Sequence, residues 1–201
     1  MVKIVVPGEV ISEAPKPTNF AFVENGKTYS SALALFDEAN FRLIPLEGAY
    51  IPNINDIVVG VISEVKFAGY TVDIKSPYMG FLPGKELRVE LQLGDVVSAK
   101  VREVDEVKNI ILSFPRKLIG GEILEILSVK VPRVIGKKNS MLDMIKEVTK
   151  SEILVGKNGR VWIKGGNSAV AAGAILKIEK EAHILGLTDR INAFLKEESK
   201  S

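Results

Sequence analysis

The chain has 201 residues, of which 46% are apolar and 26% charged, enough for one large folded unit or two to three small ones. With no cysteine and one histidine, His183, it excludes disulfides, thiolate nucleophiles and cysteine-ligated zinc, and it leaves only carboxylates for a metal site. The net charge is +2, and no run approaches the roughly 20 apolar residues that span a bilayer.

Residues 1–53 read as a small antiparallel β module. Lys3-Ile4-Val5-Val6 stops at Pro7-Gly8, too short an apolar run for a secretory signal, so a cytoplasmic protein with no membrane partner is expected. Residues 20–23 lead into Asn25-Gly26, a pair suited to a tight hairpin, and 32–36 and 41–46 look like further strands. Pro45 and Pro52 belong at edges or ends, because proline donates nothing to a ladder.

Residues 54–115 alternate more cleanly and predict five strands, at 57–65, 70–74, 79–82, 96–104 and 109–113. Gly69, Pro77, Gly84, Gly94-Asp95 and Lys108-Asn109 supply the breaks. Five short strands in so few residues have the size and number of an OB-fold, and closure into a barrel removes the exposed edges.

After Pro115 the pattern changes. Residues 123–131 read as a strand ending at Pro132. Residues 140–150 are amphipathic, with Met141, Leu142, Ile145 and Val148 on one face. Strands at 152–155 and 160–164 flank Gly156-Lys157-Asn158-Gly159, and Gly165-Gly166-Asn167 closes the pair. A helix over 168–185 would bury Val170, Ala174, Ile178, Ala182 and Leu185, and His183 falls in it as an ordinary structural histidine. Thr188 or Asp189 can cap a last helix over 190–198. The order strand, short helix, helix, strand, strand, helix, with a Gly-rich loop between the first two helices, is that of a type I KH domain. The fold class expected is mainly β plus α+β, in three modules: 1–53, 54–115 and 116–201.

Charge divides along the same lines. Residues 1–53 carry 4 basic and 6 acidic side chains, residues 54–115 carry 7 and 9, and residues 116–201 carry 16 and 10. The cationic excess of the last module suits a phosphate backbone. In the barrel, Phe67 and Tyr70 flank the turn between the first two strands, where exposed rings would stack on bases. Lys66, Arg102 and Lys108 are close enough in such a barrel to meet phosphates. In the last module, Gly136-Lys137-Lys138-Asn139 supplies a Gly-started cationic loop, with Asn139 tolerating a left-handed backbone. The Gly156-Lys157-Asn158-Gly159 string reads as a structural hairpin turn, and Trp162 as interdomain or core packing.

Several strings then carry a resemblance. Residues 55–61, Val72-Asp73-Ile74, Gly80-Phe81-Leu82-Pro83, Gly94-Asp95-Val96-Val97 and 104–113 resemble an S1-type RNA-binding domain. The resemblance places Phe67, Tyr70 and Asp105 on the RNA face. It puts Asn109, with Lys108 beside it, at a usually basic position, and Pro83 where many members carry histidine. Val131-Pro132-Arg133-Val134-Ile135-Gly136 and Gly-Lys-Asn-Gly, after Val6-Pro7-Gly8-Glu9 and the string at 45–52, make the whole similar to the RNA-binding cap subunit of the RNA exosome, archaeal type. Arg133 and the 136–139 loop would then contact RNA. That resemblance implies a non-catalytic subunit, three copies on a hexameric ring of RNase PH-like subunits, and the first module docking on the ring. It further implies capture of single-stranded RNA, A-rich 3′ ends among them, for 3′-to-5′ degradation. Mixing with the zinc-containing sister cap subunit stays open. The alternatives are a translation-associated RNA-binding factor and a metal-dependent nuclease using Asp56, Asp73, Asp95 or Asp105, although no cluster has ligand spacing.

Overall fold

A computed structural model describes residues 2–18, 20–46, 48–86, 90–182, 184 and 186–198. His183, Leu185 and Glu47 lie outside the described residues. The chain forms two compact units, 1–48 and 49–201.

The first unit contains two three-stranded antiparallel sheets. One orders β1 (Val2–Val5), β5 (Ala34–Asp37) and β6 (Arg42–Pro45); the other orders β2 (Val10–Ser12), β4 (Lys27–Ser30) and β3 (Ala21–Glu24). Asn25 and Gly26 sit at φ 49° and 77° between β3 and β4, as the tight hairpin requires. Strands β2 and β4 escape the sequence reading because β2 is only three residues long and β4 turns Thr28 and Ser30, both polar, inward. Their hydroxyls are satisfied locally: Thr28 donates to the Ala14 carbonyl at 2.8 Å and Ser30 to the Ala32 carbonyl at 2.7 Å. Val5, Ala34, Phe36 and Leu43 form the core, with Phe41 edge-on to Phe36.

In the second unit, β7 (Ile57–Lys66), β8 (Gly69–Asp73), β9 (Gly80–Pro83), β10 (Val96–Val104) and β11 (Ile110–Leu118) close a five-stranded barrel. Among the described residues of the barrel, only the β9–β11 pairing is parallel. Strand β11 runs on to Leu118 instead of stopping at Ser113. A bulge at Phe114, between the Lys100–Ser113 and Ser98–Arg116 pairs, accommodates Pro115 inside the strand.

The remaining elements are β12 (Glu122–Glu125), α1 (Val131–Ile135), α2 (Ser140–Thr149), β13 (Glu152–Val155), β14 (Arg160–Lys164), α3 (Ser168–Glu181) and α4 (Leu187–Glu198), with an antiparallel sheet ordered β12-β14-β13. The strand expected over 123–131 ends at Glu125. Pro132 starts a helix there instead of ending a strand, because its missing N–H falls in a first turn where no partner is needed. On α2, Thr149 takes the buried place expected of Val148, which is exposed. Helix α3 ends at Glu181, four residues short of the reading. Ala171 and Ile175 join Ala174 and Ile178 in its buried stripe, Ala182 is buried just past its end, and Val170 is half-buried. Because α4 begins at Leu187, Thr188 and Asp189 sit inside its first turn.

Strand β14 is buried on both faces. Val161 and Ile163 face the core shared with the helices, which includes Val134, Ile145, Ala174 and Ile178. Arg160 and Trp162, on the opposite face by the period of two, turn toward the barrel.

Candidate nucleic-acid interface

The barrel and the KH-like part form a continuous piece, and the Gly156–Gly159 turn is the joint. The Gly159 N–H bonds the Gly156 carbonyl at 3.0 Å, and Gly159 takes φ 82°. Asn158 is 1% exposed. Its amide nitrogen donates to the Val59 and Ile74 carbonyls at 2.7 and 2.9 Å, and its oxygen accepts from the Val59 N–H at 3.2 Å. The side chain thus pairs with β7 as a neighbouring strand would, and the Lys157 N–H adds a bond to the Ile57 carbonyl at 2.8 Å. A Cβ on Gly156 would overlap the Asn158 amide and crowd the Val59 nitrogen. Beside this turn Trp162, 2% exposed, packs with Val59 and Leu118 and donates its indole N–H to the Gly120 carbonyl at 2.7 Å.

Arg160 completes the joint. Its guanidinium donates to Asp73 Oδ2 at 2.6 Å, the Asp73 carbonyl at 2.7 Å and Glu125 Oε1 at 2.9 Å, while Lys75 reaches Glu125 at 3.3 Å. Burial pushes Asp73 up, but the Arg160 guanidinium and the Lys75 N–H outweigh it, and its carboxyl stays below the usual range. Glu125 is lowered chiefly by Arg160.

The residues expected to touch RNA fall into separate groups on this piece. Phe67 stands fully exposed at the tip of the β7–β8 turn. Lys66 beside it pairs with Glu64 at 2.8 Å on the surface, a bond that an incoming phosphate can replace at little cost. Tyr70 is half-buried: its ring packs against the barrel core and its hydroxyl accepts from the Leu91 N–H at 3.4 Å. Asp105 spends both carboxylate oxygens on Asn109, at 2.7 Å to its N–H and 2.6 Å to its side-chain amide, and so shapes the β10–β11 turn that displays Lys108 at φ 63°. Arg102 shares a depression with Ser113, Phe114 and Pro115.

The loop after α1 carries Gly136, Lys137, Lys138 and Asn139. Lys137, Lys138 and Asn139 are exposed, as is Arg133 on α1, while Gly136 is half-buried. Gly136 takes φ 74°, where a Cβ would lie 2.8 Å from Met141, so glycine is required. Lys138 and Asn139 follow in the left-handed region at φ 52° and 65°. Asn139 makes no side-chain cap on α2, leaving the amides of that helix start beside the lysines.

Each aspartate that a metal-dependent reading would need has a structural partner. Asp56 accepts from the Tyr50 hydroxyl at 2.7 Å, Asp73 holds Arg160, Asp95 pairs with Lys117 at 2.6 Å, and Asp105 holds Asn109. Among the described residues, no three His, Cys, Asp or Glu side chains gather as a metal site. Also among them, no helix is long and apolar enough to cross a membrane. Sequence reasoning missed Phe114, Arg160 and Lys75. Phe114 announced itself only as an aromatic before a proline, and the two cations had no local partner to mark them.

A β-barrel of five strands locked to a βααββα fold, each with exposed cations and the barrel with an exposed ring, defines a multidomain RNA-binding protein of the S1–KH class. Residues 51–114 match the S1 RNA binding domain family, 121–169 the KH domain family, and 2–47 the family described as the exosome RNA binding protein RRP4 N-terminal domain. The chain is 44% identical to the exosome complex component Rrp4 of Pyrococcus furiosus, over 96% of this chain and 82% of that one. Against the Rrp4 of Methanothermus fervidus it is 42% identical, over 96% and 94% of the two chains. A crystal structure described as an exosome complex RNA-binding protein superposes with a TM-score of 0.70 at 35% identity, covering 76% of this chain and 98% of that one. The chain belongs to the Rrp4 family of exosome components.

Proposed function

We propose that this chain is the non-catalytic, RNA-capturing cap subunit of a cytoplasmic RNA exosome. Membership of the Rrp4 family supports the assignment, and the observation that carries the mechanism is the exposed Phe67 turn held on the same piece as the cationic 136–139 loop. Rings and lysines that touch a strand one nucleotide at a time give binding that releases readily, as threading needs. RNA held near a pore gains effective concentration at catalytic sites belonging to other subunits.

In this reading three modules, 1–53, 54–115 and 116–201, divide the work. The first docks on a hexameric ring of RNase PH-like subunits, three copies to a ring. A row of apolar side chains across its sheet supports this: Ile4, Leu35 and Ile44 are cross-strand neighbours, with Ile4 and Ile44 exposed. The barrel and KH-like modules contact single-stranded RNA through Lys66, Phe67, Tyr70, Arg102, Lys108, Arg133 and Gly136-Lys137-Lys138-Asn139. Asp105 contributes by building its turn.

Phe67→Ala is expected to weaken binding of single-stranded RNA roughly fivefold to a hundredfold, the loss of one stacked base, and to leave stability within about 0.5 kcal/mol. Adding Tyr70→Ala should deepen the loss, with Tyr70→Phe as the control that keeps the ring in the barrel. Fluorescence anisotropy with a labelled oligoadenylate measures this, and unchanged affinity in the folded double variant rejects the barrel face.

Charge reversal of Lys137 and Lys138 is expected to flatten the plot of log affinity against log salt, by about 0.7 for each phosphate the loop ceases to neutralise. A slope equal to that of the unaltered chain removes the loop from the interface.

A further inference from the structure

Phe114 stands on the outer wall of the barrel with 78% of its surface exposed and its backbone at φ 51°. A bulky side chain rarely adopts that left-handed conformation, and residues held in it concentrate at ligand-binding positions. The bulge in β11 imposes it: the register with β10 breaks between the Lys100–Ser113 and Ser98–Arg116 pairs. A glycine would occupy the bulge without strain, and the ring takes no part in the barrel core. Among the described residues it stacks on no other ring, unlike Phe41, which is also at positive φ but packs on Phe36.

The surroundings are cationic. Ser113, Phe114, Pro115 and Arg102 line one depression. Lys100 and Arg102 occupy the outward side of β10, alternating with the buried Ala99 and Val101. Barrel topology puts this bulge near the Phe67 turn. Gly69 pairs with Pro83 on one side of β9, and Phe81 pairs with Ile111 on the other. Following β9 toward its end therefore leads to the β7–β8 turn on one flank and to the β11 bulge on the other. With neighbouring strands about 4.8 Å apart, β8 and β11 lie roughly 10 Å from each other across β9.

We propose that Phe114 and Arg102 form a second nucleotide subsite on the barrel, with a base stacked on the Phe114 ring and the adjoining phosphate against the Arg102 guanidinium. The inference rests on the RNA-capture reading and extends it: a strand that touches Phe67 continues across β9 to the β11 bulge. A lone ring flanked by outward cations matches the alternation of base and phosphate in single-stranded RNA.

Anisotropy titrations of the full chain with labelled oligoadenylates of increasing length test this. Phe114→Ala is expected to weaken binding roughly fivefold to a hundredfold on the longer oligomers, and to leave unchanged the shortest one that still responds to Phe67→Ala. Phe114→Trp should restore affinity, and Arg102→Gln should weaken binding and lower the salt slope. If Phe67→Ala weakens binding while Phe114→Ala does not at any length, the second subsite is refuted and RNA capture stands. If the unaltered chain binds no oligoadenylate, both fall. If Phe114→Ala instead impairs association with the ring subunits while RNA affinity is kept, the side chain meets protein, and the proposal is overturned.

Discussion

Asn158→Ala is expected to destabilise the second unit by about 3 kcal/mol or more and to loosen the KH-like fold from the barrel. The substitution removes three hydrogen bonds and leaves the Val59 N–H, the Val59 carbonyl and the Ile74 carbonyl facing a buried gap. Each orphaned buried group costs about 1–3 kcal/mol, because no water reaches it to replace the lost partner. Asn158→Asp is expected to be worse: a carboxylate oxygen would replace the amide donor against two carbonyl oxygens now at 2.7 and 2.9 Å. Trp162, the sole tryptophan, sits in the same joint and reports on it. Urea titration followed by its fluorescence should show a lower midpoint and a red-shifted native spectrum. An unchanged midpoint together with an unshifted spectrum would mean that Asn158 does not hold the two folds together.

The second large effect concerns the charges around Arg160. The paired variant Asp73→Asn with Glu125→Gln is expected to destabilise the unit by about 2 kcal/mol or more, because it leaves a guanidinium whose side chain is only 9% exposed without a counter-charge. The figure falls below the roughly 3–5 kcal/mol of a fully buried pair, since the Asp73 and Glu125 side chains are 38% and 48% exposed and water screens them. Arg160→Met removes the buried charge itself and is expected to be milder. Equal losses in the two variants would contradict the arrangement.

The same pair fixes a pH dependence. Both carboxyls are held below their usual values in the folded chain, so folding favours their ionised forms. The stability they contribute is complete above the unfolded-state values of about 4 and is lost as pH falls from there through the folded values. Acid unfolding should therefore steepen in that window and flatten in Arg160→Met.

Much of the fold is legible in the sequence because its signals are local. The Asn25-Gly26 hairpin follows from two residues that tolerate positive φ. The alternation along β10 marks a half-buried strand whatever it pairs with. Pro132 misleads because a proline ends a strand and opens a helix equally well, and only the chain's path decides. The Phe67 turn and the 136–139 loop, as candidate sites, can be picked out from residue type and glycine placement, and the structure adds their exposure and their distribution over one piece.

Turn chemistry and side-chain period act over a few residues, and they were enough for the three-module order, the five barrel strands, the βααββα order and the candidate aromatic and cationic groups. Folding in three dimensions was needed to bring Asn158 back across 99 residues to Val59, to set Arg160 against Asp73 across 87, and to bury β14 on both faces. It also raised Phe114 onto the barrel wall. Those outcomes depend on which surfaces meet once the chain has folded, and no stretch of neighbouring residues encodes the closeness of groups so far apart along it.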